Sequence, residues 1–212
     1  MAGLALFDLD DTLLDREAAF SRWARGFAQE HRLPEESLLL IEQADMDGLN
    51  PRQTFFEAIR ETFGISLPVE DLLVRYYIEY PAYYTVSEKT VDAIRRLRSH
   101  GWKLGVVTNG PPSQLSKLEH TNLVDEVDAI CISEVVGVRK PDPVIFREAA
   151  RRCGVPLKGW MVGDSESTDI IGGYESGLRT IWMSRGRTWE STEMAPDVIA
   201  MTLSQAVDVI IG

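Results

Sequence analysis

Six short apolar runs, most of them stopping at polar residues, constrain this chain more than any other feature. Leu4 to Leu9 is the first, and it carries Asp8 and Asp10 at its end. Lys103 to Val107 leads into Thr108-Asn109-Gly110, Ala129 to Ile132 is the third, and Trp160 to Val162 leads into Gly163-Asp164. Thr180 to Met183 and Val198 to Ala200 complete the set. Runs this short and this continuously apolar read as strands buried on both faces, the pattern of a parallel sheet. Amphipathic stretches lie between them. Ser87-Glu88 starts a helix with a buried stripe of Val91, Ile94 and Leu97, and Gly101 closes it. Pro143 to Cys153 with Gly154, Asp169 to Ser176 with Gly177, and Leu203 to Ile211 read as further helices. The expected fold class is therefore α/β, a doubly wound parallel sheet.

From Asp15 to Val86 the alternation stops. Only helical patterns occur there: Glu17 to His31, Pro34 to Ala44, Pro51 to Phe63 and Pro68 to Tyr80. Asn50 reads as an N-cap with Pro51 at the first helical position. The expected organisation is a core of residues 1–14 and 87–212, with an all-helical cap inserted at 15–86.

Composition narrows the function classes. With 212 residues, 44% apolar and 26% charged, the chain has ordinary globular composition and enough length for a sizeable core. A net charge of −11 speaks against nucleic acid and anionic membrane as main partners. The two cysteines, Cys131 and Cys153, form neither a CxxC site nor a disulfide framework, so a reducing, cytoplasmic location is expected. No run of 18 apolar residues occurs, and the apolar stretch Met1 to Leu9 lacks the basic flank of a signal peptide. The expected partner is a small molecule; a homo-oligomer stays open.

The chemistry lies at the strand ends. Asp8, Asp10, Thr108, Asn109 and Asp164 all close a predicted strand, and in an open parallel sheet those ends meet at one crevice. Three carboxylates in one crevice call for a cation, and oxygen ligands without cysteine or histidine point to Mg²⁺. Spaced i and i+2 on a strand, Asp8 and Asp10 would face the same side and divide the labour of nucleophile and proton carrier. Thr108, Asn109 and Gly110 offer phosphate donors, and Lys140 a positive charge for phosphoryl oxygens. Pro111 and Pro112 have no N–H, so no later residue is credited with such a bond.

These residues resemble a known family. Asp8-Leu9-Asp10-Asp11-Thr12-Leu13 is similar to the first motif of the haloacid dehalogenase-like hydrolases. Thr108-Asn109-Gly110 resembles the second, Lys140-Pro141 the third, and Gly163-Asp164-Ser165-Glu166-Ser167-Thr168-Asp169 the fourth. Order and spacing agree, and the set spans nearly the whole chain. The helical insertion resembles the family's type I cap, and the branch resembles that of pyrimidine 5′-nucleotidases and N-acylneuraminate-9-phosphate phosphatases. The resemblance implies an Mg²⁺-dependent phosphatase working through an aspartyl-phosphate. Asp8 would be nucleophile and ligand, and Asp10 general acid and base with its carbonyl on the metal. Asp164 would be the third ligand. Asp169 would hold the metal's waters or orient Lys140, and Thr108 and Asn109 would bind the phosphoryl group. An acidic residue at position 10 separates the chain from true haloacid dehalogenases.

Bland readings suffice for other conspicuous residues. His31, His100 and His120 sit at predicted helix ends, where they suit the dipole. Tyr76, Tyr77, Tyr80, Tyr83 and Tyr84, with Trp23, read mainly as packing. Gly172-Gly173 reads as close helix–sheet packing, and Trp182-Met183 as core. Three rival functions remain: a phosphomutase of the same family, a haloacid dehalogenase, and a phospho-accepting receiver module. The last lacks a helical insertion after its first strand.

Overall fold

β1 (Leu4–Phe7) is buried along its whole length because it is hydrogen-bonded on both edges, to β2 (Lys103–Thr108) and to β4 (Gly159–Gly163). In this computed structural model, which describes residues 3–191 and 194–212, all six strands run parallel in the order β3-β2-β1-β4-β5-β6. Here β3 is Ala129–Ile132, β5 Arg179–Met183 and β6 Val198–Ala200. Met1, Ala2, Thr192 and Glu193 lie outside the description. The fold is α/β, as the alternating runs predict. The strand order reverses between β1 and β4, so the crevice of a doubly wound sheet opens at their C-terminal ends.

The chain divides into two compact units, Met1–Leu14 with Val86–Gly212, and Asp15–Thr85. In the first, α8 (Pro143–Cys153) buries Ile145, Phe146, Ala149 and Cys153 against Leu4, Leu6, Val107 and Cys131. Asp142 caps it by accepting the Val144 N–H (2.8 Å), with Pro143 in the first turn. α5 (Glu88–Ser99) is capped by Ser87 and ends ahead of Gly101, whose φ of 81° only glycine adopts without strain. α10 (Leu203–Ile211) matches its predicted span. Gly172 and Gly173 do serve packing: a Cβ would come within 2.9 Å of Pro141 and 2.8 Å of Met161 respectively.

The second unit holds α1 (Arg16–Glu30), α2 (Ser37–Asp45), α3 (Arg52–Phe63) and α4 (Val69–Glu79). Its centre is aromatic. Trp23 contacts Phe27, Phe55, Phe56 and Tyr76, the last two edge-on, and Tyr76 stacks on Tyr80. The buried Asp45 carboxylate pairs with Arg16 (2.9 Å) and Arg52 (2.6 Å). Asn50 is not the predicted N-cap. Its amide donates to Ala44 O (2.7 Å) and so closes the preceding segment, leaving Pro51 at the cap position.

A second correction concerns the segment after β4. The predicted helix Asp169 to Ser176 starts earlier, as a wide π turn (Glu166–Ile170), and continues as α9 (Ile171–Glu175). The N–H groups of Asp169 and Ile170 share Ser165 O at 3.1 and 3.2 Å, which widens the turn. No helix among the described residues is long and apolar enough to cross a membrane.

Burial raises the thiols of Cys131 and Cys153 to about 11. Thiolate is the reactive form. We expect neither cysteine to react with Ellman's reagent at pH 8 within minutes in the native protein, and both to react in denaturant. Fast labelling of the folded chain would contradict this packing.

Candidate active site

The chain turns sharply where β1 ends. Leu13 and Leu14 donate to Leu9 O (both 3.0 Å), Asp11 donates to Leu14 O (2.6 Å), and Asp11 takes φ 61°. The sequence places Asp8 and Asp10 on one strand face, but the strand stops at Phe7 and Asp10 belongs to this turn. Strand alternation therefore does not relate the two carboxylates, and each meets a different lysine.

Asp8, still paired to the sheet through its N–H on Val162 O (2.9 Å), is hydrogen-bonded by the Lys140 ammonium. Lys140 Nζ also lies 2.7 Å from Asp169 Oδ1 and is 2% exposed. Asn109 places that lysine. Its side chain accepts from the Lys140 N–H (2.8 Å) and donates to Lys140 O (3.0 Å). Gly163 places Asp169, since a Cβ there would fall 2.2 Å from Asp169 Oδ2. Asp169 also accepts the Ser165 N–H at 3.1 Å.

Asp164 follows β4 and keeps company with residues in and just after β5. Trp182 Nε1 and Arg187 Nη2 donate to its carbonyl (2.8 and 2.9 Å), and Arg187 Nη2 reaches its carboxylate at 3.0 Å. Arg185 pairs with Asp11 (2.9 Å). Carboxylate oxygens of Asp8, Asp164 and Asp169 lie within 4.8 Å of one another.

Thr108, 1% exposed, ends β2. The Gly110 N–H donates to Ser133 Oγ (3.0 Å). As placed, Gly110 is committed to the loop that opens α7 (Ser133–Val136), and the Asn109 side chain is committed to Lys140. After the two prolines comes α6 (Gln114–His120). Gln114 Nε2 donates to Thr108 Oγ1 (2.7 Å) and Asp10 Oδ2 (3.1 Å), and Lys117 Nζ lies 2.9 and 2.6 Å from the two Asp10 oxygens. Sequence reasoning missed Gln114, Lys117, Ser133 and Arg187. The usable signal was a Gln and a Lys three apart, on one helical face directly after Thr108-Asn109-Gly110.

The electrostatics follow from crowding. Burial raises Asp8, the charges of Asp169 and Asp164 add to it, and Lys140 opposes both. Burial, then Asp169 and Asp11, raises Asp164 to about 6 against the pull of Arg187. Lys140 is raised by Asp169 and Asp8 in spite of its burial. Three close carboxylates, all hard oxygen donors, fit a small divalent cation such as Mg²⁺.

Residues 3–177 match the family described as hydrolase, haloacid dehalogenase-like. The chain belongs to the haloacid dehalogenase-like hydrolases. It is 32% identical over 196 residues to a phosphoserine phosphatase of Thermus thermophilus, covering 87% of this chain and 76% of that one. It is 34% identical over 200 residues to a glyceraldehyde 3-phosphate phosphatase of Methanopyrus kandleri, covering 88% and 86%. Over 109 residues it is 40% identical to the pyrimidine 5′-nucleotidase YjjG of Escherichia coli, about half of each chain (50% and 48%). The solved HAD-hydrolase YfnB from Bacillus subtilis, bound to magnesium, shares the fold with a TM-score of 0.82 at 24% identity, covering 99% of this chain and 98% of that one. In this HAD hydrolase the residues singled out from the sequence, Asp8, Thr108, Asp164 and Lys140, sit at the ends of β1, β2 and β4 and in the loop before α8.

A pH dependence follows for the metal-free HAD hydrolase. With Asp164 at about 6 in the fold against 3.8 ordinarily, its stabilising contribution is full below 3.8 and lost as pH rises through 6. At neutral pH the ionised group costs at most about 3 kcal/mol. We expect Asp164→Asn to melt higher than wild type in EDTA at pH 7.5, with the gap shrinking by pH 4.5. Mg²⁺ should reverse the order at pH 7.5. Equal melting curves throughout would remove Asp164 from the charge cluster.

Proposed function

We propose that this HAD hydrolase is an Mg²⁺-dependent phosphatase that cleaves a small phosphorylated metabolite through an aspartyl-phosphate on Asp8. The observation that carries the reading is the separation of the two aspartates: Asp8 is held by Lys140, Asp10 by Lys117 and Gln114. Carboxylates in different settings take different tasks. The names of the similar proteins, phosphatases of small phosphomonoesters, support the same class.

In this reading Asp8 attacks phosphorus in line, the bond from phosphorus to the substrate oxygen breaks, and Asp10 gives that oxygen a proton. Water then attacks the aspartyl-phosphate, Asp10 takes the water's proton, and inorganic phosphate leaves with Asp8 restored. Lys140 faces the charge on the phosphoryl oxygens. Gln114 donates to the Thr108 hydroxyl oxygen, which leaves the hydroxyl hydrogen to donate to phosphate. The Asn109 main-chain N–H adds a donor. Asp8, Asp164 and the Asp10 carbonyl would hold Mg²⁺, which supplies positive charge to offset that of nucleophile and phosphate. Asp169 keeps Lys140 in place. In this reading the helical unit Asp15–Thr85 would supply substrate selection.

The test is phosphate release from p-nitrophenyl phosphate with Mg²⁺ and with EDTA. We expect release with Mg²⁺, none with EDTA, and a loss of about 1000-fold or more in Asp8→Asn, the scale expected when a nucleophile is removed. A variant that keeps wild-type turnover would exclude Asp8 as nucleophile.

A further inference from the structure

α6 buries two polar side chains for which packing gives no reason. Gln114 is 4% exposed and Lys117 6% exposed. An ammonium stripped of water is costly unless its partner is well placed, and a lysine has a long flexible stem that would otherwise carry its charge to solvent. Here the partner is Asp10. Lys117 Nζ spans both carboxylate oxygens (2.9 and 2.6 Å), and Gln114 Nε2 takes Oδ2 as well (3.1 Å). With both oxygens gripped and a second donor on one, the plane of the carboxylate is fixed. The same Gln114 amide spends its other hydrogen on Thr108 (2.7 Å). One side chain therefore ties the proton carrier to the residue that would touch the phosphoryl group. Gly110 makes room for it, since a Cβ there would come 3.0 Å from Gln114 Cγ.

We propose that Lys117, with Gln114, is a positioning residue that aims the Asp10 carboxyl at the leaving-group oxygen. The inference rests on the phosphatase reading and adds to it a second lysine, distinct from Lys140, that acts only through Asp10. It makes a prediction a structural role would not. An alkoxide needs a proton to depart, whereas p-nitrophenolate departs without one. Because kcat/KM reports the steps up to departure of the leaving group, a misaimed Asp10 should slow one ester and spare the other.

The experiment compares kcat/KM of wild type, Lys117→Met and Lys117→Arg on two esters, with thermal melting as the folding control. One ester is p-nitrophenyl phosphate. The other is an alkyl phosphate that the wild type hydrolyses, from a panel of glycerol 3-phosphate, phosphoserine and ribose 5-phosphate. We expect Lys117→Met to lose about 30-fold or more on the alkyl ester, within the span of general acid–base effects, and less than about 3-fold on the aryl ester. Lys117→Arg should recover most of the loss. Should the methionine variant not fold, Lys117→Gln, which keeps a donor, takes its place with the same expected split. Equal losses on both esters, or no loss on either, would overturn the proposal. A wild type inactive on every ester would instead overturn the phosphatase reading, and this inference with it.

Discussion

One ammonium group holds the site together. Lys140 sits between Asp8 and Asp169, itself 2% exposed, with Asp169 fully buried and Asp8 nearly so. Without that charge two carboxylates would face each other in a medium that screens poorly, and leaving a buried charge without its partner typically costs about 3–5 kcal/mol. Even with Lys140 in place, Asp8 remains raised by burial and by its acidic neighbours. The lysine offsets part of the repulsion, and a bound cation would offset the remainder.

Much of the surrounding structure serves to put that ammonium where it is. A lysine has a flexible stem, so its position must be imposed at the backbone. The Asn109 side chain does this with two hydrogen bonds to the Lys140 main chain, joining the end of β2 to the loop before α8. On the other side, Gly172 lets α9 come down on Pro141, and Gly163 leaves space for the Asp169 carboxylate. The parallel pairing of β1 with β2 and β4 then fixes Asp8 relative to both. A change at Gly163 or in the Asn109 side chain would disturb the Asp8–Lys140–Asp169 triad, because each sets its geometry.

This division explains what the sequence reveals and what it hides. Strand ends are legible because near-continuous apolar runs stop at them, so Asp8, Thr108 and Asp164 are found from pattern alone. Asp169 and Lys140 are visible only through their flanking motif residues. Roles that depend on side-chain direction are not legible. Asn109 looks like a phosphate donor, yet its amide is turned to Lys140. Gly110 looks like another, yet its N–H is held by Ser133. Asp10 looks like a strand neighbour of Asp8, yet the chain has already turned. Lys117 and Gln114 lie on a seven-residue helix after two prolines, too short for its apolar period to say which face turns toward Asp10. Arg187 lies outside any regular element, where periodicity says nothing.

The paired lysines are poor devices for stability, and that is informative. A buried ion pair returns little net free energy after desolvation, and a well-packed apolar substitute often does as well or better. The fold has ample apolar burial without them: α8 alone places Ile145, Phe146, Ala149 and Cys153 against the sheet. Two buried lysines beside three carboxylates are therefore not explained by folding. What distinguishes them from apolar replacements is that each gives a carboxylate one orientation and a charged neighbour. Asp8 with Lys140 has its surroundings set by two further acids, whereas Asp10 with Lys117 is gripped by a cation and an amide. A single lysine serving both would leave the two carboxylates in like environments. Two lysines on separate elements make them chemically different, which is the asymmetry the proposed reaction would use in setting a nucleophile beside a proton carrier.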